Sequence, residues 1–339
     1  MGAHLRFPER QVRVRMSEHD EFSILDQLFK PLAGLSREAR GLMDDVAVIP
    51  PHDGCDLVVS TDALVAGVHF FEHDPLDLVA RKLMRVNLSD IICKGAVPYG
   101  YQLLTVWPRG TTYAEKQDFV RGLKIEQDRF HLDLFGGDTV STFGPMVFSM
   151  TIFGKVPAGR ALSRLGAKPG DKILISGYIG QAYMGLRALQ GNLAGVSHND
   201  VNEVITAYHL PEIRTDLSPA ILQHARAAMD VSDGLLADAD HMARANKLMI
   251  RLDLNKVPTS LAGRAAIAAG LSPVDLVTGG DDYQILCAAD EAGAKALVMA
   301  GFYEIGTCLG LSEDTPPGAE LWADNRRIEV ASKGYLHPL

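Results

Sequence analysis

Short carboxylate signatures are spread along this chain without a nucleophile beside them. They occupy six segments: Asp44-Asp45, Ser60-Thr61-Asp62, Asn87-Leu88-Ser89-Asp90, Gly136-Gly137-Asp138, Asp230-Val231-Ser232-Asp233 and Gly279-Gly280-Asp281-Asp282. Carboxylates gathered from distant segments repel one another strongly unless a cation lies between them. Mg²⁺ prefers such an all-oxygen environment and completes its shell with water and phosphate oxygens. The pattern therefore predicts metal-assisted phosphate chemistry.

Two of these segments contain paired glycines, and a third leads from a predicted strand into a predicted helix. Paired glycines let the backbone approach a ligand closely, and their N–H groups can bind phosphate oxygens. At the strand-to-helix segment, carboxylates beside a helix N-terminus could hold a metal ion next to phosphate. Capping of the same helix by Ser232 or Asp233 is the simpler alternative, and the sequence leaves both open.

The remaining motifs also have two interpretations. Asp44-Asp45 could be a solvated turn, Thr61-Asp62 a capping feature, and Asp90 half of an exposed pair with Lys94. A single histidine in an apolar run, such as His69, is usually a packed core residue. Arg164 could bind phosphate through its forked guanidinium or could be surface charge in a linker.

Composition limits the class of protein. The chain has 339 residues, 47% of them hydrophobic, which is enough for two domains with their own cores. The net charge of −9 and the lack of a Lys/Arg stripe argue against a nucleic-acid partner. No apolar stretch approaches the roughly 20 residues of a membrane span. The four cysteines lack zinc or C-x-x-C spacing, so we expect free thiols in the cytoplasm.

Strand and helix patterns alternate in both halves, which predicts an α/β (α+β) class with two lobes. We expect Thr61-Asp62 to follow a strand over 56–60, and Gly136-Gly137-Asp138 to form a turn after a strand over 132–135. A helix over 78–94 places Asn87 and Asp90 on one face. The Pro- and Gly-rich stretch over 155–172 suggests a boundary, giving domains at 17–155 and 156–339, with 1–16 expected to be a disordered extension.

In this order and spacing, the segments resemble the thiamine-monophosphate kinase family of the aminoimidazole-ribonucleotide synthetase and selenophosphate synthetase superfamily. The resemblance covers about 22–335. It rests on Ser60 to Phe70, Val86 to Asp90, Gly136 to Thr139, Arg164 to Asp171, Asp230 to Leu235 and Gly279 to Tyr283. It implies the two-domain synthetase-like fold with mixed sheets. It also implies a homodimer whose N-terminal domains share a barrel-like core.

The resemblance further implies Mg²⁺-dependent transfer of a phosphoryl group from ATP directly onto thiamine monophosphate, giving thiamine diphosphate and ADP. The implied metal ligands are Asp45, Ser60, Thr61, Asp62, Asp90, Asp138, Asp230 and Asp233, of which Asp45, Asp62, Asp90, Asp138 and Asp230 are the expected catalytic residues. The implied nucleotide contacts are Gly137, Asp138, Arg164 and Ser232, and the implied substrate contacts are His69, Asp281 and Tyr335. Many family members carry Glu where this chain has Asp281.

The cysteines and the end of the sequence bear on which related enzyme this chain resembles. A selenophosphate synthetase would carry a reactive Cys in its N-terminal segment, but no cysteine precedes Cys55. The hydrogenase-maturation relative ends in a functional Cys, whereas this sequence ends in His337-Pro338-Leu339. An aminoimidazole-ribonucleotide synthetase is harder to separate by chemistry alone. A non-catalytic metal or nucleotide sensor is the alternative from another class, and retention of every matched carboxylate argues against it.

Overall fold

A four-stranded mixed sheet forms the first layer of the protein. The computed structural model describes residues 25–34, 54–312 and 316–335. The sheet consists of β1 (Cys55–Val65), β2 (Val97–Pro108), β3 (Asp133–Thr142) and β4 (Val147–Pro157) in the order β1-β4-β2-β3. β4 is antiparallel to both of its neighbours, whereas β2 and β3 are parallel. β1 and β3 therefore form opposite edges of this sheet.

A seven-stranded mixed sheet forms the second layer, in the order β11-β10-β7-β9-β5-β8-β6. Its strands are β5 (Lys172–Ile175), β6 (Ala227–Asp230), β7 (Met249–Asp253), β8 (Ile285–Ala289), β9 (Tyr303–Leu309), β10 (Gly318–Ala323) and β11 (Arg326–Ile328). The β10–β7 pair is parallel and the other pairs are antiparallel. Its edge strand β6 ends at Asp230, which places that carboxylate next to the first layer.

Helices cover both sheets. In the described residues they are α1 (Lys30–Ala33), α2 (Leu76–Ile92), α3 (Tyr113–Phe130), α4 (Gln181–Leu189), α5 (His198–His209), α6 (Ser218–His224), α7 (Leu235–Asn246), α8 (Leu261–Ala268), α9 (Pro273–Thr278) and α10 (Glu291–Met299). A π-helical turn, Leu25–Phe29, precedes α1, and 3₁₀ turns occur at Thr215–Leu217 and Leu254–Lys256. None of these described helices combines the length and apolar composition needed to cross a membrane.

The helix α2 is the centre of the packing. Leu83, Met84, Leu88 and Ile91 are fully buried on it, and they pack against β1, β4 and α3. The same hydrophobic cluster continues into β5 and β8 of the other sheet through Leu174 and other residues. The two sheets fall on either side of the stretch 158–171, but their cores are continuous. The domain boundaries at 17–155 and 156–339 therefore stay a prediction, and the extension 1–16 lies outside the described residues.

A buried ion pair joins α2 to α3. The carboxylate of Glu126, fully buried, accepts hydrogen bonds from Arg85 and from Arg81. Arg85 also donates to the carbonyl oxygens of Leu210 and Pro211, at 3.2 and 3.0 Å. Because Arg85 bonds both to Glu126 and to these two carbonyl oxygens, it fixes the position of α2 relative to the loop that follows α5.

Two motifs lie inside strands rather than after them, so our expectations of a strand end at Thr61-Asp62 and of a turn at Gly136-Gly137-Asp138 were wrong. β1 pairs with β4 along its whole length, which carries the strand through Thr61-Asp62 to Val65. β3 likewise runs through Gly136-Gly137-Asp138, and Gly137 pairs with Leu103 of β2. A Cβ on Gly137 would lie 1.9 Å from the carbonyl oxygen of Leu103, so close approach of the two strands requires glycine there.

The apolar spacing of the sequence also predicts helices over 18–29 and 113–130. The second is present with the same bounds, and most other predicted elements are present within a few residues of theirs. The first is described only from residue 25 onward, where the chain forms the π-helical turn. The helices α9 and α10 were not predicted from the sequence; both begin at a side-chain cap, Ser272 for α9 and Asp290 for α10.

Candidate active site

A cavity of 520 Å³ opens between the two layers. The first layer contributes residues of β1 and α2, and the second contributes α4, the segment from Asp230 to Asp233, and the loop between α9 and β8. Eight residues predicted from the sequence line it: Asp62, His69, Asp90, Asp230, Ser232, Asp233, Asp281 and Tyr335. The fold thus brings together carboxylates that are up to about two hundred positions apart in the chain.

Three carboxylates form the polar end of this cleft, and each belongs to a different element. Asp62 lies on β1, Asp90 lies on α2, and Asp230 ends β6. Neighbouring hydroxyl groups orient two of them, since Ser60 Oγ donates to Asp90 and Ser89 Oγ donates to Asp230 at 2.8 Å.

Burial and crowding together raise the pKa values of two of these carboxylates, Asp62 and Asp230. Burial, together with the negative charge of Asp90, raises the pKa of Asp62 to about 6. Burial also raises the pKa of Asp230 to about 7; the charges of Asp90 and Asp62 add to the effect, whereas Ser89 and Lys94 oppose it. Without a cation between them, the groups resist carrying their charges at the same time.

Asn87 positions β1 relative to α2. Its side-chain oxygen accepts the backbone N–H of Asp62 at 3.0 Å, and its amide donates to the carbonyl oxygen of Leu83. The side chain is fully buried, so it is not part of an exposed polar face. An exposed polar face was the alternative interpretation of the helix side that carries Asn87 and Asp90. It is wrong for Asn87, because the side chain of Asn87 accepts the backbone N–H of Asp62 on the neighbouring strand.

The segment from Ser232 to Gly234 forms a tight turn at the start of α7. Asp238 Oδ2 accepts the backbone N–H groups of Ser232, Asp233 and Gly234 at 3.0 to 3.2 Å. Asp238 therefore holds this turn, the N-cap Gly234 has no side-chain cap, and the side chains of Ser232 and Asp233 are left at the cleft, so the capping alternative for these two residues is wrong. Oxygens of Asp233 and Asp238 and a ring nitrogen of His241 lie within 4.8 Å of one another and form a further set of possible metal ligands.

The other end of the cleft contains His69, Asp281 and Tyr335. His69 Nδ1 accepts the backbone N–H of Val65 at 3.1 Å, which fixes the ring. Asp281 has a left-handed backbone, with φ of 70°, and its N–H donates to the carbonyl oxygen of Ser232. Tyr335 reaches the rim because its backbone N–H donates to the carbonyl oxygen of Asp233 at 2.9 Å.

Several predicted site residues do not line the cleft. Thr61 Oγ1 contacts Thr151 Oγ1, Ser60 lies behind Asp90, and the carbonyl oxygen of Arg164 accepts a hydrogen bond from Asn246. Gly137 and Asp138 lie on β3, the sheet edge opposite β1, roughly 14 Å away at the usual strand spacing. Asp45 lies outside the described residues. The roles of all these residues stay predictions.

Sequence reasoning missed four polar side chains at the cleft or directly behind it: Lys82, Ser89, Tyr208 and Tyr283. Lys82 precedes Val86 and Asp90 by four and eight positions, so it lies on the same face of α2. A lysine on a largely apolar helix face, in line with the predicted metal ligand Asp90, could have identified Lys82 as a candidate site residue. Ser89 and Tyr208 had no comparable signal, because their partners Asp230 and His69 are more than a hundred positions away. Tyr283 donates to Asp281, two positions before it, but a tyrosine beside an acidic pair is not by itself a signal of a site.

Comparison with known proteins agrees with this arrangement. Residues 43–156 match the family model of the AIR synthase related protein, N-terminal domain. The thiamine-monophosphate kinase of Caulobacter vibrioides is 44% identical over 94% of this chain and 90% of its own length. The crystal structure of the Stenotrophomonas maltophilia thiamine-monophosphate kinase has a TM-score of 0.77 and 30% identity, covering 91% of this chain and 98% of that one.

A further solved structure, AaThiL complexed with AMPPCP and TMP, has a TM-score of 0.74 and 25% identity over 93% of this chain and 97% of its own. These likenesses extend over both sheets and the cleft between them. The chain belongs to the thiamine-monophosphate kinase family, and its two mixed sheets have the AIR synthase fold.

Proposed function

We propose that this protein phosphorylates thiamine monophosphate, using ATP and Mg²⁺, to give thiamine diphosphate and ADP. The observation that carries the proposal is the meeting of Asp62, Asp90 and Asp230 in one cleft with His69 and Asp281 at its other end. The relatives named above support the choice of substrates, since one is complexed with AMPPCP and TMP. The cleft's 520 Å³ is in the usual range for a small-molecule site.

The residues present fit Mg²⁺. The donors at the polar end are carboxylate and hydroxyl oxygens, the ligand type that hard cations prefer. Burial first, and then neighbouring negative charge, raise the pKa values of Asp62 and Asp230, and a bound cation would compensate that charge. We infer that Asp62, Asp90 and Asp230 hold the metal, joined by Asp233 and by the predicted ligands Asp45, Ser60, Thr61 and Asp138. Bound Mg²⁺ supplies charge neutralisation for two polyanionic substrates.

We propose direct transfer without a phosphoenzyme. The acceptor is a phosphate monoester that is largely ionised near neutral pH, so the reaction needs positioning rather than a strong base. Cys93 is unsuited to act as a nucleophile, because burial raises its thiol pKa far above the ordinary value. His69, which lines the cleft, already accepts a backbone hydrogen bond at Nδ1. Its proposed role, with Asp281 and Tyr335, is to bind the acceptor, while Gly137, Asp138, Arg164 and Ser232 bind the nucleotide.

We also propose a homodimer. One face of the four-stranded sheet carries exposed apolar side chains on three strands, Leu57 and Val59 on β1, Val97 and Leu104 on β2, and Val140 on β3. The strand register places them on the same face, which is also the face of Thr61 and Asp138. A second copy covering this face would remove a large apolar surface from water. Light scattering after gel filtration tests the assembly, and a monomer would contradict it.

The test of the activity is incubation of the purified protein with ATP, Mg²⁺ and thiamine monophosphate, followed by chromatography for thiamine diphosphate. We expect product that disappears with EDTA. A phosphoprotein trapped from labelled ATP would overturn direct transfer. If the folded protein binds ATP but forms no product, the proposed acceptor is wrong, and other phosphorylated acceptors should be assayed.

A further inference from the structure

Lys82 is a buried lysine at the acceptor end of the cleft. Its side chain is 2% exposed, although lysine is almost never fully buried unless it is paired. Its ammonium group donates to Asp281 Oδ2 at 2.8 Å and to the carbonyl oxygen of His69 at 3.4 Å. The same group lies 4.0 Å from the centre of the Tyr208 ring, which is a cation–π contact. Lys82 therefore has a full set of partners in the free protein.

These partners come from separate parts of the chain. Lys82 is on α2, His69 is in the loop after β1, Tyr208 is on α5, and Asp281 precedes β8. Tyr208 and Asp281 belong to the second layer, whereas Lys82 and His69 belong to the first. One ammonium group thus connects two of the three residues predicted to contact the substrate, across the opening of the cleft.

Asp281 depends on this contact for its orientation. Its backbone lies in the left-handed region, with φ of 70°. Its two carboxylate oxygens have different partners, since Oδ2 accepts from Lys82 and Oδ1 accepts from the hydroxyl of Tyr283 at 3.2 Å. Losing the ammonium group would free the carboxylate to rotate away from the geometry that faces the cleft.

Lys82 lies well away from the carboxylate cluster at the polar end of the cleft, although both belong to α2. Lys82, Val86 and Asp90 are spaced four residues apart on one helix face, so Lys82 and Asp90 are about 12 Å apart along the axis. Asp90 belongs to the carboxylate cluster that we assign to metal and nucleotide. A change at Lys82 should therefore be felt at the acceptor end and much less at the nucleotide end.

We propose that Lys82 is a positioning residue for the phosphoryl acceptor, holding Asp281 and the His69 loop in the geometry that binds thiamine monophosphate. This inference rests on the proposed function, because it names the residue that organises the acceptor end of the same site. Lys82 acts through Asp281. Its effect should therefore be specific to the acceptor and should depend on the carboxylate being present.

The test compares Lys82→Met, Asp281→Asn and the double variant, with Lys124→Met as a control that removes an exposed lysine on α3. We expect Lys82→Met to raise KM for thiamine monophosphate about tenfold or more, the usual effect of losing a charge-assisted hydrogen bond. KM for ATP should change less than about twofold. In the Asp281→Asn background, Lys82→Met should add little, because the group it positions is already altered. Lys124→Met should change neither KM.

Three results would overturn the proposal: an unchanged acceptor KM, equal rises in both KM values, or full additivity with Asp281→Asn. A lowered acceptor KM would also contradict it, since it would mean that Lys82 only screens the charge of Asp281 from a cationic substrate. If Lys82→Met does not fold, Lys82→Gln decides, because it keeps a polar donor but removes the charge. It should still raise the acceptor KM alone, and no change would reject the idea.

The wild-type protein separates this inference from the proposed function. If the wild type turns over and Lys82→Met has the same acceptor KM, only the role of Lys82 is rejected. Calorimetric titration of wild type and variants with thiamine monophosphate in the presence of a non-hydrolysable ATP analogue reports on acceptor binding without turnover. A wild type that binds but does not react leaves the role of Lys82 to be decided by that titration. A wild type that neither reacts with the acceptor nor binds it rejects both proposals.

Discussion

Removing Mg²⁺ should destabilise this protein at high pH far more than at low pH. In the metal-free fold the pKa of Asp62 is about 6 and that of Asp230 is about 7, both above the ordinary 3.8 that applies in the unfolded chain. A folded-state pKa above the unfolded value means that the fold binds the proton more tightly. The stabilising contribution is therefore complete below about pH 4 and is lost as pH rises to about 7.

The size of the effect follows from these values. The increase for Asp62 corresponds to about 3 kcal/mol, and that for Asp230 to about 4 kcal/mol, at 1.36 kcal/mol per pH unit. The charge of Asp62 is itself one of the causes of the increase for Asp230, so the two values do not add, and we expect a combined loss of roughly 5 kcal/mol. With an unfolding entropy of about 2.1 cal/mol/K per residue, this corresponds to a fall in Tm of roughly 7 °C.

The assay is thermal unfolding at about pH 5 and about pH 8, each with EDTA and with Mg²⁺. Asp282 and Asp238 also have pKa values raised to about 7 by burial, so part of the loss with pH will persist in Mg²⁺. The difference between the Tm values in EDTA and in Mg²⁺ at each pH reports on the carboxylate cluster alone. Asp62→Asn is the most direct variant, because it removes one of the crowded charges. It should raise Tm in EDTA at high pH and reduce the increase in Tm that Mg²⁺ produces.

Two results would refute this reasoning. The first is equal stabilisation by Mg²⁺ at both pH values, since protonated carboxylates should bind the ion poorly. The second is a lower Tm for Asp62→Asn than for the wild type in EDTA at high pH. That outcome would mean that the Asp62 carboxylate stabilises the metal-free fold through a contact, instead of destabilising it through charge repulsion.

Three further predictions concern single positions. Gly137→Ala should lower the free energy of unfolding by about 2 kcal/mol or more because its Cβ would collide with Leu103, whereas Gly136→Ala, whose Cβ meets nothing closer than 3.8 Å, should cost little in denaturant titration. Glu126→Gln should cost about 3–5 kcal/mol in the same measurement, because it leaves buried guanidinium charge uncompensated. Asp90→Asn should lose most turnover in the kinase assay while Tm in EDTA is retained; lost Tm with activity kept per folded molecule would favour a structural role.

Local sequence patterns predicted the elements well where the cause is local. The helix over 113–130 is an example, since Thr112 and Glu115 form a capping box at its start and His131 ends it in a left-handed conformation. The carboxylates Asp62 and Asp90 both line the cleft, and their roles stay predictions. The sequence could draw attention to them because each is a charged residue that interrupts an otherwise apolar strand or helix.

The errors arise where a residue's partner is distant. The pair Gly136-Gly137 suggested a turn, because glycine is typical of turns, yet both residues lie in β3 and Gly137 is required by the approach of β2, whereas its predicted contact with the nucleotide stays a prediction. The sequence alone cannot distinguish glycine that admits a ligand from glycine that admits another strand. Lys82 and Asp281 are 199 positions apart, so neither suggests the other until the two layers are packed together.

The polar residues of α2 show how the fold and the site depend on the same contacts. Four of them are buried: Lys82, Arg85, Asn87 and Ser89. Buried polar groups are costly unless they are satisfied, and each of these finds its partner on another element, three of them on segments of the second layer. The helix is therefore fully satisfied only when both layers are in place. Two of these contacts also orient carboxylates of the cleft: Ser89 donates to Asp230, and Lys82 donates to Asp281. Correct packing of α2 and correct geometry of the cleft therefore depend on the same hydrogen bonds.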